Sequence, residues 1–133
     1  MLQTTSPSYI LMSSIDYCLN LLKDKKKVLF REYEKSLKDF DASIRNLEKL
    51  RVLHHGSNTL QQDFFDFDIS KIVVTTKGTK LNGAELANIL RLKYKIEIER
   101  ACDHYIIAMT SICDTKEGFT RLAAALSEID STL

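Results

Sequence analysis

Lys71-Ile72-Val73-Val74-Thr75-Thr76-Lys77-Gly78-Thr79-Lys80-Leu81-Asn82-Gly83-Ala84-Glu85-Leu86 is the stretch on which the fold turns. Its first six residues are rich in β-branched side chains, which restrict χ1 and suit a pleated strand. Gly78 supplies a turn. Asn82 or Gly83 then caps a helix running from about Ala84 to Tyr94, with Leu86, Ile89, Leu90 and Leu92 facing inward. A strand that gives way to a helix over so short a span points to mixed structure, and the flanking sequence decides which kind.

Downstream, Glu97 to Ala101 reads as a short strand and His104 to Ser111 as a longer one, with Asp103-His104 at the turn between them. A final helix reaches about Ile129. Phe119, Leu122, Ala123, Leu126 and Ile129 share one of its faces. Asp114 or Thr115 caps it, and Asp114 would place Glu117 where a capping box needs it.

Upstream, Pro7 to Lys23 forms a helix with apolar residues around most of its circumference, so it is expected to be largely buried. Asp24-Lys25-Lys26-Lys27 is a charged connector exposed to solvent. A second helix follows from about Lys27 to Leu53. Phe30, Tyr33, Leu37, Phe40, Ile44 and Leu47 form its narrow apolar seam, and Gly56 is its C-cap. His54 and His55 then stand near the negative end of that helix rather than at a metal site. Asp63 to Asp68 alternates acids with aromatics but fails the calcium-loop pattern, since Lys71 and Lys77 stand where glycine and glutamate are needed. It reads as a loop or short edge strand.

The class is therefore α+β: two N-terminal helices, then a small, mostly antiparallel sheet with helices packed on it, in the order strand-helix-strand-strand-helix. Residues 1–56 form a helical arm and 57–133 the sheet domain, together one compact unit. A chain of 133 residues can bury such a core. Its net charge of +1 gives no electrostatic case for nucleic acid or an acidic membrane. Cys18, Cys102 and Cys113 make neither a CxxC pair nor an even set, which fits reduced thiols in the cytoplasm. No signal peptide, membrane span, metal cluster or catalytic triad is legible.

Gln3-Thr4-Thr5-Ser6-Pro7-Ser8-Tyr9 places a run of hydroxyls ahead of the first helix. Ser6 reads as the N-cap and Pro7 as the first helical residue. The free N–H groups of a first turn, with hydroxyls beside them, can receive an anion. This run, continued by Ile10-Leu11-Met12-Ser13-Ser14-Ile15-Asp16, resembles the segment downstream of the cofactor lysine in the Orn/Lys/Arg decarboxylases. Lys77-Gly78-Thr79-Lys80-Leu81-Asn82-Gly83-Ala84-Glu85-Leu86 is similar to that family's K-G-x-x-L-x-G-x-E-L stretch. Tyr94 to Glu99 and Asp114-Thr115 continue the pattern in order.

The resemblance implies the C-terminal small domain of an aspartate-aminotransferase-fold enzyme that uses pyridoxal phosphate. Thr4 and Ser6 would then bind the cofactor phosphate, across a dimer interface. It also implies that the catalytic lysine lies in an upstream Ser-x-His-Lys segment, so no catalytic residue can be named here and the 133 residues alone would be inactive. Ala101, Cys102 and Cys113 depart from the family's V-E-x-S-D and G-D-T stretches. Glu99, which matches that glutamate, is expected to form a structural salt bridge. The implied partners are a large domain or a second copy. The alternative is a non-enzymatic interaction or regulatory module that self-associates through its N-terminal helices.

Overall fold

The computed structural model describes residues 7–53 and 67–133. Among the described residues three helices pack against a four-stranded sheet, so the α+β class holds. Helix α1 spans Tyr9–Ser43, strand β1 Arg51–Leu53 and strand β2 Lys71–Thr75. Helix α2 follows at Gly83–Tyr94, then strands β3 (Arg100–Ala101) and β4 (Tyr105–Met109), and finally helix α3 (Lys116–Thr132). The strand order is β1-β2-β4-β3, with every neighbouring pair antiparallel.

Alternation along the two central strands sets the faces. Ile72, Val74, Ile106 and Ala108 are buried, while Tyr105 and Met109 of β4 point the other way and are exposed. Register follows from this, since Val74 pairs with Ile106 and Ile72 with Ala108. Leu86 and Leu90 of α2 and Leu122, Leu126 and Ile129 of α3 complete the core. Helix α1 joins it only near its C-terminal end, through Leu37, Phe40 and Ile44. There Phe119 of α3 receives Tyr33 and Phe40, at ring-centroid distances of 6.2 and 6.3 Å.

Three expectations need correction. The two N-terminal helices are one continuous helix of 35 residues. Lys23 to Lys27 carries charge but no glycine or proline, and lysine is a good helix former, so nothing there breaks the chain. That helix stops at Ser43 rather than near Leu53. The chain turns through Leu47, whose N–H bonds the Ile44 carbonyl (3.2 Å), and enters a strand the sequence did not suggest. Leu92 faces outward and is 68% exposed, because the buried stripe of α2 follows Leu86 and Leu90.

The caps are decided as well. Asn82 caps α2 and forms a reciprocal capping box with Glu85, the bonds being 2.9 and 2.8 Å. Thr115, not Asp114, caps α3 and accepts from the Gly118 N–H. Asp114 instead closes the preceding turn, accepting from the N–H and hydroxyl of Ser111. The far end of α2 is closed by Lys95 at φ 56, ψ 41, in the left-handed region. Arg121 of α3 donates to the Tyr94 and Lys95 carbonyls there (3.2 and 3.1 Å). A Cβ in that conformation costs free energy that glycine avoids, partly offset by glycine's freer unfolded chain. Lys95→Gly is thus expected to stabilise the protein by about 0.5–1 kcal/mol, read as a rise of a few degrees in melting temperature. No change, or a fall, would mean that the lysine conformation carries no strain.

Candidate functional site

Helix α1 begins one turn-residue pair later than expected. Ser8 is the N-cap, with extended φ −94 and ψ 111, and its hydroxyl accepts from the Leu11 N–H at 3.4 Å. The Met12 N–H bonds the Ser8 carbonyl (3.0 Å). Ser6 is therefore not the cap, and Pro7 lies before the helix. A cap must be extended and must reach the third N–H of the helix, and Ser8 meets both conditions. Thr4 and Ser6, the residues expected to hold a phosphate, lie outside the described residues, as do His54, His55, Gly56 and Asp63 to Asp66. What the structure does bring to this end is the open first turn. Tyr9 and Ile10 hold the N–H groups that a helix cannot satisfy internally, and no acid stands in that turn.

The expected burial of the apolar first helix is not found. Residues 9–20 are exposed around the whole helix. Among the sixteen residues 7–22 only Asp16 is charged. Ile10 is 80% exposed, Tyr17 71%, Leu19 61% and Ile15 60%. Tyr9, Ile10, Ser13, Ser14 and Tyr17 line a shallow open groove along it. Its polar side chains are spent locally: the Ser14 hydroxyl bonds the Ile10 carbonyl, and Asn20 bonds Asp16. Covering one such side chain is worth ~1.5–3 kcal/mol, so this segment is the least satisfied apolar surface described.

Elsewhere the polar groups serve the fold. Tyr33 Oη and Thr110 Oγ1 stand 2.6 Å apart, and burial pushes the Tyr33 phenol up despite that bond. Asp130, buried on α3, accepts from the N–H groups of Glu48, Lys49 and Leu50. Sequence reasoning missed it, although an acid one turn beyond Leu126 on an apolar stripe was a legible signal. Glu99 is exposed and forms no ion pair among the described residues, contrary to expectation; its N–H bonds the Ile107 carbonyl (2.9 Å) in the ladder. The three cysteines are free thiols. Among the described residues no helix is long and apolar enough to cross a membrane.

Comparison with known proteins bears on this arrangement. No family profile matches the chain. An arginine decarboxylase of Bacillus anthracis is 30% identical over 132 residues, covering 98% of this chain and 26% of that protein. An arginine decarboxylase of Bacillus cereus is 30% identical over 133 residues, 99% of this chain and 28% of its own. The chain is thus similar, over nearly its whole length, to a C-terminal portion of an Orn/Lys/Arg decarboxylase. It spans about a quarter of the length of the relatives it matches, that of Bacillus subtilis included, at 28% identity over 130 residues. Among solved structures, the constitutive lysine decarboxylase of E. coli superposes with a TM-score of 0.67 over 98% of this chain and 23% of its own. At 18% identity that likeness speaks for the α+β fold alone.

Proposed function

We propose that these residues act as the C-terminal portion of a pyridoxal-phosphate-dependent decarboxylase of arginine, lysine or ornithine. Alignment of almost the whole chain with a quarter of several arginine decarboxylases carries this reading. The hydroxyls of Thr4 and Ser6 donate to phosphate oxygens of the cofactor, next to the open N–H groups of Tyr9 and Ile10. With Ser8 serving as cap, the helix start makes no demand on Ser6. This donor set fits the phosphate end of the cofactor only. When bound, pyridoxal phosphate supplies the electron sink for breaking the Cα–carboxylate bond. The residues of this chain anchor it and tie that anchor through α1 to the sheet domain. The family resemblance assigns the imine-forming lysine to the upstream part, so the 133 residues alone are inactive. The working form is a cytoplasmic homo-oligomer making a polyamine precursor: agmatine, cadaverine or putrescine.

The test joins this chain to the upstream three-quarters of the Bacillus subtilis arginine decarboxylase. Release of CO2 from labelled arginine, lysine and ornithine is then measured. The joined protein is expected to release CO2 from one of them, and the isolated chain from none. Thr4→Val and Ser6→Ala should each raise the pyridoxal phosphate concentration for half-maximal activity roughly tenfold, the loss of one charge-assisted hydrogen bond. A joined protein that folds without decarboxylating any of the three sinks the reading. The alternative, a self-associating regulatory module, would then be supported by a stable dimer of the isolated chain.

A further inference from the structure

Asn82-Gly83 is the one place in the chain where an asparagine stands directly before a glycine. Asn20, Asn46, Asn58 and Asn88 precede leucine, leucine, threonine and isoleucine. The side-chain amide of an asparagine is an electrophile, and the backbone nitrogen of the next residue is the nucleophile nearest to it. Glycine, without a Cβ, leaves that nitrogen unshielded and its backbone free to swing in. Packing dictates the glycine of this pair, because a Cβ at position 83 would collide with the Cys102 and Tyr105 carbonyls. Packing does not dictate the asparagine. Serine or threonine would also cap α2, with no amide to attack.

The fold withholds the nucleophile. Asn82 is extended, at φ −92 and ψ 169. Its Oδ1 accepts from the Glu85 N–H (2.9 Å), and its own N–H bonds Glu85 Oε2 (2.8 Å). The Gly83 N–H is committed to the Asp103 carbonyl (3.0 Å), and Gly83 is buried. Cyclisation requires ψ of Asn82 to rotate until the Gly83 nitrogen meets Cγ. That rotation breaks the bond to Asp103 and pulls the first turn of α2 off the hairpin. The cap bond meanwhile polarises the Asn82 side-chain carbonyl, so the electrophile stays ready. The hairpin on the other side of the contact includes β3, two exposed residues at the sheet edge. Such an element opens without global unfolding.

We propose that Asn82 is a self-modification site, held shut by the contact between α2 and the hairpin and released when that contact opens. On opening, the Gly83 nitrogen gives up its proton and bonds to Asn82 Cγ. The Cγ–Nδ2 bond breaks, and the amide nitrogen takes up a proton and leaves as ammonia. Water then opens the cyclic imide at either carbonyl. Attack at Cγ leaves aspartate at position 82, which still caps a helix and suits its N-terminus. Attack at the backbone carbonyl leaves isoaspartate, whose chain runs through Cβ. The added backbone carbon lies directly ahead of Gly83, where the Cys102 and Tyr105 carbonyls leave no room. The contact then cannot close again, and the opened domain is marked in its own covalent structure.

The experiment holds the folded chain, the chain unfolded in urea and a synthetic peptide of residues 80–86 at one mildly alkaline pH. Peptide mapping by mass spectrometry follows deamidation, and fragmentation separates isoaspartate from aspartate. The peptide and the unfolded chain are expected to convert Asn82 at similar rates, ahead of Asn20, Asn46 and Asn88. In the folded chain the conversion should be slower by roughly a hundredfold or more, in proportion to the small fraction of open molecules. Glu85→Ala removes one bond of the capping box and should speed the folded-chain reaction roughly fivefold, with the peptide rate unchanged. Equal rates in the folded chain and the peptide overturn the proposal, because nothing then holds the site shut. An unfolded chain and peptide that keep the amide at Asn82 also overturn it. A last measurement concerns the products. Chains reacted in urea and returned to buffer are separated by chromatography, and the urea midpoint of each is read. The isoaspartate form should unfold at clearly lower urea than unreacted chain, and Asn82→Asp close to it. An isoaspartate form as stable as the unreacted chain overturns the marking.

Discussion

Replacing Gly83 with alanine is expected to destabilise the protein by about 3 kcal/mol, although alanine is the better helix former by ~1 kcal/mol. Gly83 is the first residue of α2, and its N–H bonds the Asp103 carbonyl (3.0 Å) in the turn between β3 and β4. That turn is closed by the Cys102 N–H on the Tyr105 carbonyl (2.8 Å). The helix start and the hairpin thus meet backbone to backbone. A Cβ on Gly83 would lie 2.0 Å from the Cys102 carbonyl oxygen and 2.6 Å from that of Tyr105. Neither is the far end of a flexible side chain, so either the helix lifts from the sheet or the hairpin opens. Both outcomes disturb Leu86 and Ile106, which are fully buried. Urea unfolding reads the effect. With a slope of ~1–3 kcal/mol/M, the midpoint should fall by roughly 1–3 M at an unchanged slope. Gly78→Ala is the control. Gly78 has φ +92 but open space where a Cβ would go, so that variant carries only the smaller cost of the left-handed backbone. Gly83→Ala as stable as Gly78→Ala would mean that the contact relaxes freely.

Local signals made the sheet domain legible. β-branched runs marked β2 and β4, Asn82 with Glu85 marked the start of α2, and the stripe Phe119, Leu122, Leu126, Ile129 marked α3. What escaped was decided by contacts distant in sequence. Charge at Lys25 to Lys27 looked like a connector, yet a helix is interrupted by backbone chemistry, not by charge, and the only proline of the chain is Pro7. Strand β1 has three residues and no pattern of its own; it exists because Val52 pairs with Val74. The hydroxyls of Ser6 and Ser8 are equivalent to a local reading, and only the geometry of the first turn chose Ser8. Of the expected phosphate site, the described residues reach only that turn. The apolar character of residues 9–22 was plain, but sequence alone could not say that this domain lacks the surface to cover it.

The early end of α1 depends on Asp130, 80 residues beyond Leu50. Its Oδ1 accepts from the N–H groups of Lys49 and Leu50 (2.9 and 2.6 Å), and its Oδ2 from that of Glu48 (2.9 Å). One carboxylate thus holds three successive donors of a turn that would otherwise bury them unpaired. Asp130→Ala is expected to cost roughly 3–5 kcal/mol, through donors stranded beside the fully buried Leu50. Asp130→Asn, with one acceptor oxygen in place of two, should lose less. Desolvation of Asp130 works against its charge, but the three N–H bonds outweigh it and Lys49 assists, so the carboxyl is held below the usual carboxylate range. The unfolded chain therefore binds this proton at a higher pH than the folded one. The stabilisation is present above the unfolded value, about pH 4, and is lost as pH falls through the lower folded value. Other acids titrate nearby, Asp68 and Glu128 being lowered as well. The quantity to measure is thus the difference in urea midpoint between wild type and Asp130→Asn, from pH 7 downward. It should be large and flat at neutral pH and shrink below about pH 4. A difference that stays constant into acid would show that the charge of Asp130 is not what separates the two proteins. The turn into β1 would then be held by chain packing around Leu50 and Val52, and the end of α1 would need another cause.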